Sequence, residues 1–134
     1  MCRQADGFFQ GVEKTKGVKG TAVVWMTFIL RKSRREKAEA LARLLLTELK
    51  GDIDSLSVET YWKDPACYEV TFSVLDPRSA DDWLAATARI AIPWMVWYDP
   101  KQHRLASLVF NKTDTARYGR MEYNAIEWAN GEWD

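Results

Sequence analysis

The fold is decided by the stretch Val23-Val24-Trp25-Met26-Thr27-Phe28-Ile29-Leu30, which is apolar at nearly every position. Thr21 and Ala22 extend it at its beginning. A half-buried strand alternates apolar and polar residues, whereas a strand that is apolar on both sides is normally covered on both sides. The pattern therefore predicts a central strand over 21–30. Its second face needs a cover: the N-terminal residues, a further strand, or a partner chain such as a second copy forming a homodimer.

After this strand the spacing of the apolar residues changes to that of a helix. Ser33 and Glu36 form the pattern of a capping box, and Gly51 is placed to end the helix. At about 100° per residue, Leu44 falls on the polar side, where it is either an ordinary surface leucine or a contact for a partner. The expected buried stripe holds six residues, Ala38, Leu41, Ala42, Leu45, Leu46 and Leu49.

The following residues predict a hairpin and a second helix. Residues 56–62 and 67–74 alternate as half-buried strands do, and the turn residues 63–66 separate them. Ser79 is placed as the N-cap of the helix, and Pro93 disfavours helical geometry at the residue before it. The expected apolar stripe of this second helix is Trp83, Leu84, Ala88 and Ala91.

Three further strands complete the pattern, at 94–98, at 104–110 and in the tail from Met121 to Asp134. The order strand, helix, strand, strand, helix, strand is that of a ferredoxin-like sandwich. We therefore predict an α+β fold of the ferredoxin-like βαββαβ type. An antiparallel sheet carries two helices on one face, and a C-terminal β-hairpin or strand is added to it.

Length and composition predict one domain in an ordinary globular chain. The chain has 134 residues, enough to bury a core. Residues 1–20, with four glycines and three lysines, predict a flexible N-terminal arm, which leaves 21–134 as a single α+β domain. The longest apolar run, 22–26, is far shorter than a bilayer span, and the first twenty residues hold no signal-peptide core. We expect a cytoplasmic protein without membrane contact.

The residues that commonly carry chemistry do not form a catalytic or metal-binding pattern. His103 is the only histidine and lies near a predicted turn, and Cys2 and Cys67 are the only cysteines. These three cannot form a tetrahedral zinc site without carboxylate help. Neither a nucleophile elbow nor a glycine-rich phosphate loop is present. We therefore expect no catalytic residue, metal or cofactor, and interpret the chain as a protein that is not an enzyme.

The charges are unevenly distributed along the chain, although the net charge is zero. Residues 1–50 carry eleven basic and five acidic side chains, and residues 51–100 carry three basic and nine acidic ones. A helix N-terminus attracts anions, so the basic start of the first helix is a candidate site for nucleic acid or phosphate. That site would use Arg31, Lys32, Arg34 and Arg35. The zero net charge argues against nucleic acid.

The C-terminal tail indicates a different class of function. It places tryptophans among carboxylates, and aromatic anchors flanked by acidic groups suit docking onto a basic protein. Our interpretation is a non-enzymatic protein-binding module, most specifically an inhibitor or immunity-type protein that neutralises a basic toxin or enzyme. Its predicted contacts are Trp128, Trp133, Glu127, Glu132 and Asp134, with Leu44 on a second surface.

A third alternative comes from the high tryptophan content, seven residues in 134. Aromatic side chains line many small-molecule sites. The chain could thus be a small-ligand sensor, with a pocket lined by Trp62, Trp94 and Trp97.

Overall fold

A computed structural model of the chain describes residues 23–75, 80–101 and 104–133. The predicted N-terminal arm, Ser79, His103 and Asp134 lie outside these ranges. Within them the helices are α1, Arg35–Leu49, and α2, Ala80–Ala88. The strands are β1 (Val23–Arg31), β2 (Ser57–Thr60), β3 (Cys67–Leu75), β4 (Ala91–Ile92), β5 (Met95–Asp99), β6 (Arg104–Asn111), β7 (Arg117–Tyr118) and β8 (Ile126–Trp133).

Six of these strands form one sheet in the order β2-β3-β1-β8-β6-β5, and every neighbouring pair is antiparallel. The short strands β4 and β7 pair with each other separately. The predicted α+β class is confirmed, and the sheet with its two described helices is compatible with a ferredoxin-like fold that has extra strands. The tail strand β8 lies inside the sheet, between β1 and β6, while residues 95–99 form an outer strand.

The core beneath β8 leaves little room for a side chain at Gly131. Gly131 lies opposite Met26 in the pairing of β8 with β1. A Cβ atom at Gly131 would lie 2.6 Å from the Met26 sulfur, so a larger residue would displace that buried side chain. The glycine thus lets β8 lie flat over the centre of the core.

The core lies between one face of the sheet and the two helices. The inward side chains of β1, which are Val24, Met26, Phe28 and Leu30, are fully buried. They form one continuous cluster with residues of α1 and α2, so both helices cover the same face. The six residues predicted as the buried stripe of α1 are all buried, and Leu44 is exposed as expected.

The ends of the helices differ from the predictions. The residue that caps α1 is Arg34, without a side-chain capping bond, so the predicted Ser33–Glu36 capping box is wrong. The start of α1 is anchored instead by Arg35, which donates hydrogen bonds to Glu39 and to the Val58 carbonyl. At the other end Lys50 takes the left-handed conformation, with φ 56°, and the Gly51 N–H donates to the Leu46 carbonyl at 2.7 Å.

The second helix is shorter than predicted. It ends at Ala88, because Ala91 and Ile92 leave the helix to pair with β7. The predicted inward position of Ala88 is wrong, since this residue is exposed, and Ala86 and Thr87 are buried in its place. Trp83 is fully buried as expected.

Candidate functional site

The face of the sheet that points away from both helices is the candidate site, and we call it the open face. Side chains alternate along a strand, so Trp25, Thr27 and Ile29 point away from the core, into which Val24, Met26 and Phe28 point. Their neighbours on β8 are Glu132, Asn130 and Trp128. The outward side chains of the two central strands, β1 and β8, therefore form the middle of the open face.

Large apolar side chains are exposed on this face. Trp25 is 41% exposed at the centre of the sheet, and Trp97 and Met95 on β5 are 46% and 57% exposed. Leu75 at the end of β3 is also exposed. Strands β8 and β6 separate Trp25 from Trp97, so the exposed apolar groups are spread over one face of the sheet. Exposed tryptophans are candidate points of contact with another protein. The sequence did not identify which element covers the second face of β1, and in the structure this face carries the exposed Trp25.

Carboxylates lie on the same face, and one of them is directly beside Trp25. Glu59 on β2 lies directly opposite Glu69 on β3, and Glu132 on β8 lies opposite Trp25. The three carboxylates form no ion pair with any residue in the described ranges, and the one bond to Glu59 there is from the Ser57 hydroxyl at 3.4 Å. The open face is therefore apolar and acidic at once.

A depression of about 530 Å³ lies at the end of the open face. Among its lining residues are Ile29, Tyr61, Cys67 and Trp128, and charged groups that pair with one another. Arg31 contacts Asp64 at 3.0 Å and Glu127 at 3.6 Å, and Lys112 contacts Glu127 at 3.2 Å. The charges that border the depression are thus largely neutralised inside the chain.

Asp64 and Cys67, which line this depression, keep their ordinary charge states at neutral pH. The backbone N–H of Ala66 and then the Arg31 guanidinium hydrogen-bond to Asp64 and lower its carboxyl pKa. Burial raises the pKa of the Cys67 thiol, with the neighbouring carboxylates adding to the rise. Because a thiolate is the reactive form of cysteine, Cys67 is a packed side chain in this setting and not an activated nucleophile.

The structure separates the predicted partner-binding residues. Trp128 and Glu132 lie on the open face, and Glu127 borders the depression. Trp133 points to the other side, where its ring meets the buried Trp83 edge to face, with centroids 5.8 Å apart. Leu44 lies on α1, also on that side of the sheet, and Asp134 is outside the described residues. The tail therefore contributes to the open face only in part.

The four cations of the predicted anion site differ in their surroundings. Arg31 is paired with Asp64 and Glu127 at the end of β1. Arg35 is paired with Glu39 at 3.2 Å, while Arg34 is exposed and Lys32 is half-buried. Two of the four groups are thus already engaged by carboxylates of the same chain.

The predicted tryptophan pocket is wrong, because its three members lie in different places. The Trp94 indole donates to the carbonyls of Thr87 and Ala91 and packs on Phe110 in the core. Trp97 is on the open face, since it pairs with Ser107 beside the buried Leu108. Trp62 is 79% exposed in the turn after β2, at the opposite edge of the sheet.

Glu59, Glu69 and Trp25 were not predicted as site residues, and Trp97 was predicted in a pocket instead of on the open face. The alternation of β2 and β3 did place both glutamates on the polar side of the hairpin. The signal for Trp25 was the apolar character of both faces of β1. What places these residues on one face of the sheet is the strand order and register, which local patterns do not contain.

Comparison with protein families, with curated proteins and with solved structures finds no match for this chain. None of the helices in the described ranges is long and apolar enough to cross a membrane.

Proposed function

We propose that this chain is a non-enzymatic protein-binding module whose contact surface is the open face and whose partner is a basic protein. The observation that carries the proposal is the combination of exposed tryptophans with carboxylates that lack an ion-pair partner among the described residues. Trp25 and Trp97 supply large, rigid contact area, and Glu59, Glu69 and Glu132 supply the charge that attracts a basic surface.

The opposed glutamates are the most specific support for a basic partner. Like charges directly opposite each other on a sheet destabilise it, so the pair Glu59 and Glu69 is unfavourable in the free chain. An arginine or lysine of a partner placed between the two carboxylates removes the repulsion and forms charge-assisted hydrogen bonds. Binding of a cation therefore gains more here than at an isolated carboxylate.

The dimensions of the open face suit a protein partner. Six strands about 4.8 Å apart span about 24 Å, and the nine residues of β1 extend about 30 Å. The resulting surface of about 700 Å² is close to the roughly 800 Å² that each partner contributes to a standard interface. A small molecule would leave most of this surface exposed.

The more specific form of the proposal is an inhibitor or immunity-type protein that neutralises a toxic enzyme. An acidic surface with aromatic anchors fits an enzyme whose working surface is basic, because attraction between opposite charges accelerates the encounter and buried aromatics prolong the complex. Covering that surface blocks access of the enzyme's substrate.

The proposal is tested by affinity purification from native cells with the tagged chain as bait. We expect a basic protein that is retained in a 1:1 ratio and is released as salt rises. The triple variant Glu59→Gln/Glu69→Gln/Glu132→Gln should lose it, whereas Glu36→Gln, an exposed carboxylate on α1, should retain it. Retention of the same partner by the triple variant would contradict the proposal. If the purified partner is an enzyme, the wild-type chain should inhibit it in equimolar amount.

A further inference from the structure

The two outer strands of the sheet differ in how their edges are protected. The outer strand β2 has four residues, exposes Glu59 and Thr60, and has its Val58 carbonyl bonded by Arg35. Short length, exposed charge and cover by a side chain are the usual means by which an edge strand avoids pairing with another chain. The edge at β2 is thus protected against pairing with another chain.

The other edge, β5, lacks these features over its first four residues. Met95, Val96, Trp97 and Tyr98 are all uncharged, and within the part of the chain that the structure describes, β5 pairs with β6 alone. Tyr98 is 56% exposed, about as strongly as Met95 near the start of the strand at 57%. The pairing of β5 with β6 shifts register between Trp97 and Tyr98. An uncharged edge strand of this kind is a template for a further strand.

We propose that two copies of this chain pair through their β5 strands, antiparallel across a two-fold axis, so that two six-stranded sheets become one continuous sheet. The partner of this edge is a second copy of the chain, because the β5 edge is self-complementary. A two-fold axis perpendicular to the sheet at Val96 or Trp97 sets inward residues opposite inward ones and open-face residues opposite open-face ones.

The side chains brought together by such an axis are compatible with each other. Trp97 then lies opposite Met95 or Trp97 of the second copy, which gives a sulfur–aromatic or aromatic pair across the strands. The two Asp99 carboxylates lie at opposite ends of the pairing, and the zero net charge of the chain adds no overall repulsion between copies. Backbone groups of β5 that pair with no described strand in one copy become paired in two.

This pairing merges the open faces of the two copies into one surface. Both open faces lie on the same side of the joined sheet, and the Trp97 residues lie at the junction. The inference does not depend on the proposed function, since the oligomeric state is measured on the chain alone.

The test is sedimentation velocity of the full chain from about 1 to 100 µM, the range in which a micromolar dimer dissociates. We expect a species of about twice the monomer mass of 15.5 kDa. Tyr98→Lys places a charge at the edge but on the helix side of the sheet, and should raise the dissociation constant at least about tenfold. Trp97→Lys should do the same. Because both residues are exposed, neither variant should change the circular dichroism spectrum.

Two control variants distinguish pairing through the β5 edge from association through other surfaces. Thr60→Lys alters the β2 edge, and Trp25→Lys alters the centre of the open face, so both should leave the dimer intact. A wild-type chain that stays monomeric at about 100 µM overturns the inference. A dimer that Trp25→Lys dissociates and Tyr98→Lys does not overturns it as well, because the copies then meet face to face through β1.

Discussion

Glu59 lies directly opposite Glu69 across the β2–β3 pair, and both carboxylates project from the open face. Their register is fixed by the adjacent pair Val58 and Val70, which is buried on the helix side. A shift by one residue would expose these valines, so the chain cannot relieve the repulsion by sliding the strands. The opposed charges are a feature of the folded state that a bound cation can relieve.

Replacing one of these carboxylates should stabilise the free protein. We expect Glu59→Gln to raise the free energy of unfolding by about 0.2–1 kcal/mol at low salt, because a like-charge pair is removed. Urea unfolding measures the difference, which should shrink as salt screens the charges. The control Glu132→Gln, which faces Trp25 and Ser107, should change stability by less than about 0.5 kcal/mol. A loss of stability in Glu59→Gln would contradict this interpretation.

The tryptophans on the two sides of the sheet should differ in their effect on stability. Trp133→Ala removes an edge-to-face contact with the buried Trp83 and should lower the free energy of unfolding by about 1–3 kcal/mol. Trp97→Ala, at a half-exposed position, should cost less than about 1 kcal/mol and should instead weaken partner binding. Denaturant unfolding separates the two. Equal losses in both variants would place Trp97 in the core.

The buried hydroxyl of Tyr123 should make stability fall at alkaline pH. Burial, followed by the neighbouring Glu48 carboxylate, raises the pKa of Tyr123 to about 12. An unfolded tyrosine has a pKa of about 10. The folded chain therefore keeps a proton that the unfolded chain releases, so this contribution to stability is present below about pH 10 and is lost between about pH 10 and pH 12.

Tyr123→Phe should remove this part of the alkaline decline. We expect the wild-type chain to lose on the order of 2 kcal/mol more than the variant over that pH range. Urea unfolding at several pH values measures the two slopes. Tyr118, whose pKa is also raised by burial, should leave part of the decline in the variant. Identical slopes in the two proteins would show that Tyr123 titrates normally.

The first helix was predicted well because its information is local. Its inward stripe repeats within one element, and all six predicted residues are buried. Its start was not predicted, because the side chain of Arg35 bonds to Val58 on β2, a residue that is distant in sequence. A contact of that kind overrides the capping pattern of Ser33 and Glu36.

The site was predicted less well because one irregularity decides which way the tail side chains point. The pairing of β8 with β1 shifts register beside Glu127, so Ile126 pairs with Leu30 and Trp128 pairs with Ile29. Without this bulge Trp128 would point into the core, on the same side as Ile126. Apolar periodicity does not reveal a bulge, and strand order is set by pairing between distant segments. The sequence therefore indicated that the tail is important, but it did not predict which way the side chains of the tail point.

The thiol of Cys67 should react slowly in the folded protein. It is 2% exposed, and burial raises its pKa, so both access and the thiolate fraction are reduced. In a Cys2→Ser variant we expect an aromatic disulfide reagent near pH 8 to react on the order of 100-fold more slowly with the folded than with the urea-unfolded chain. Comparable rates in both states would mean that the depression beside Cys67 opens to the reagent.

Site-specific photo-crosslinking in native cells tests the role of the open face most directly. A benzoylphenylalanine replaces Thr27, at the centre of the open face, or Leu44, on the exposed side of α1, and adducts are identified by mass spectrometry. We predict one dominant basic protein attached at position 27, none at position 44, and loss of the adduct when Glu59 and Glu69 are both changed to glutamine. Adducts from position 44 with none from position 27 would contradict the assignment of the open face as the contact surface.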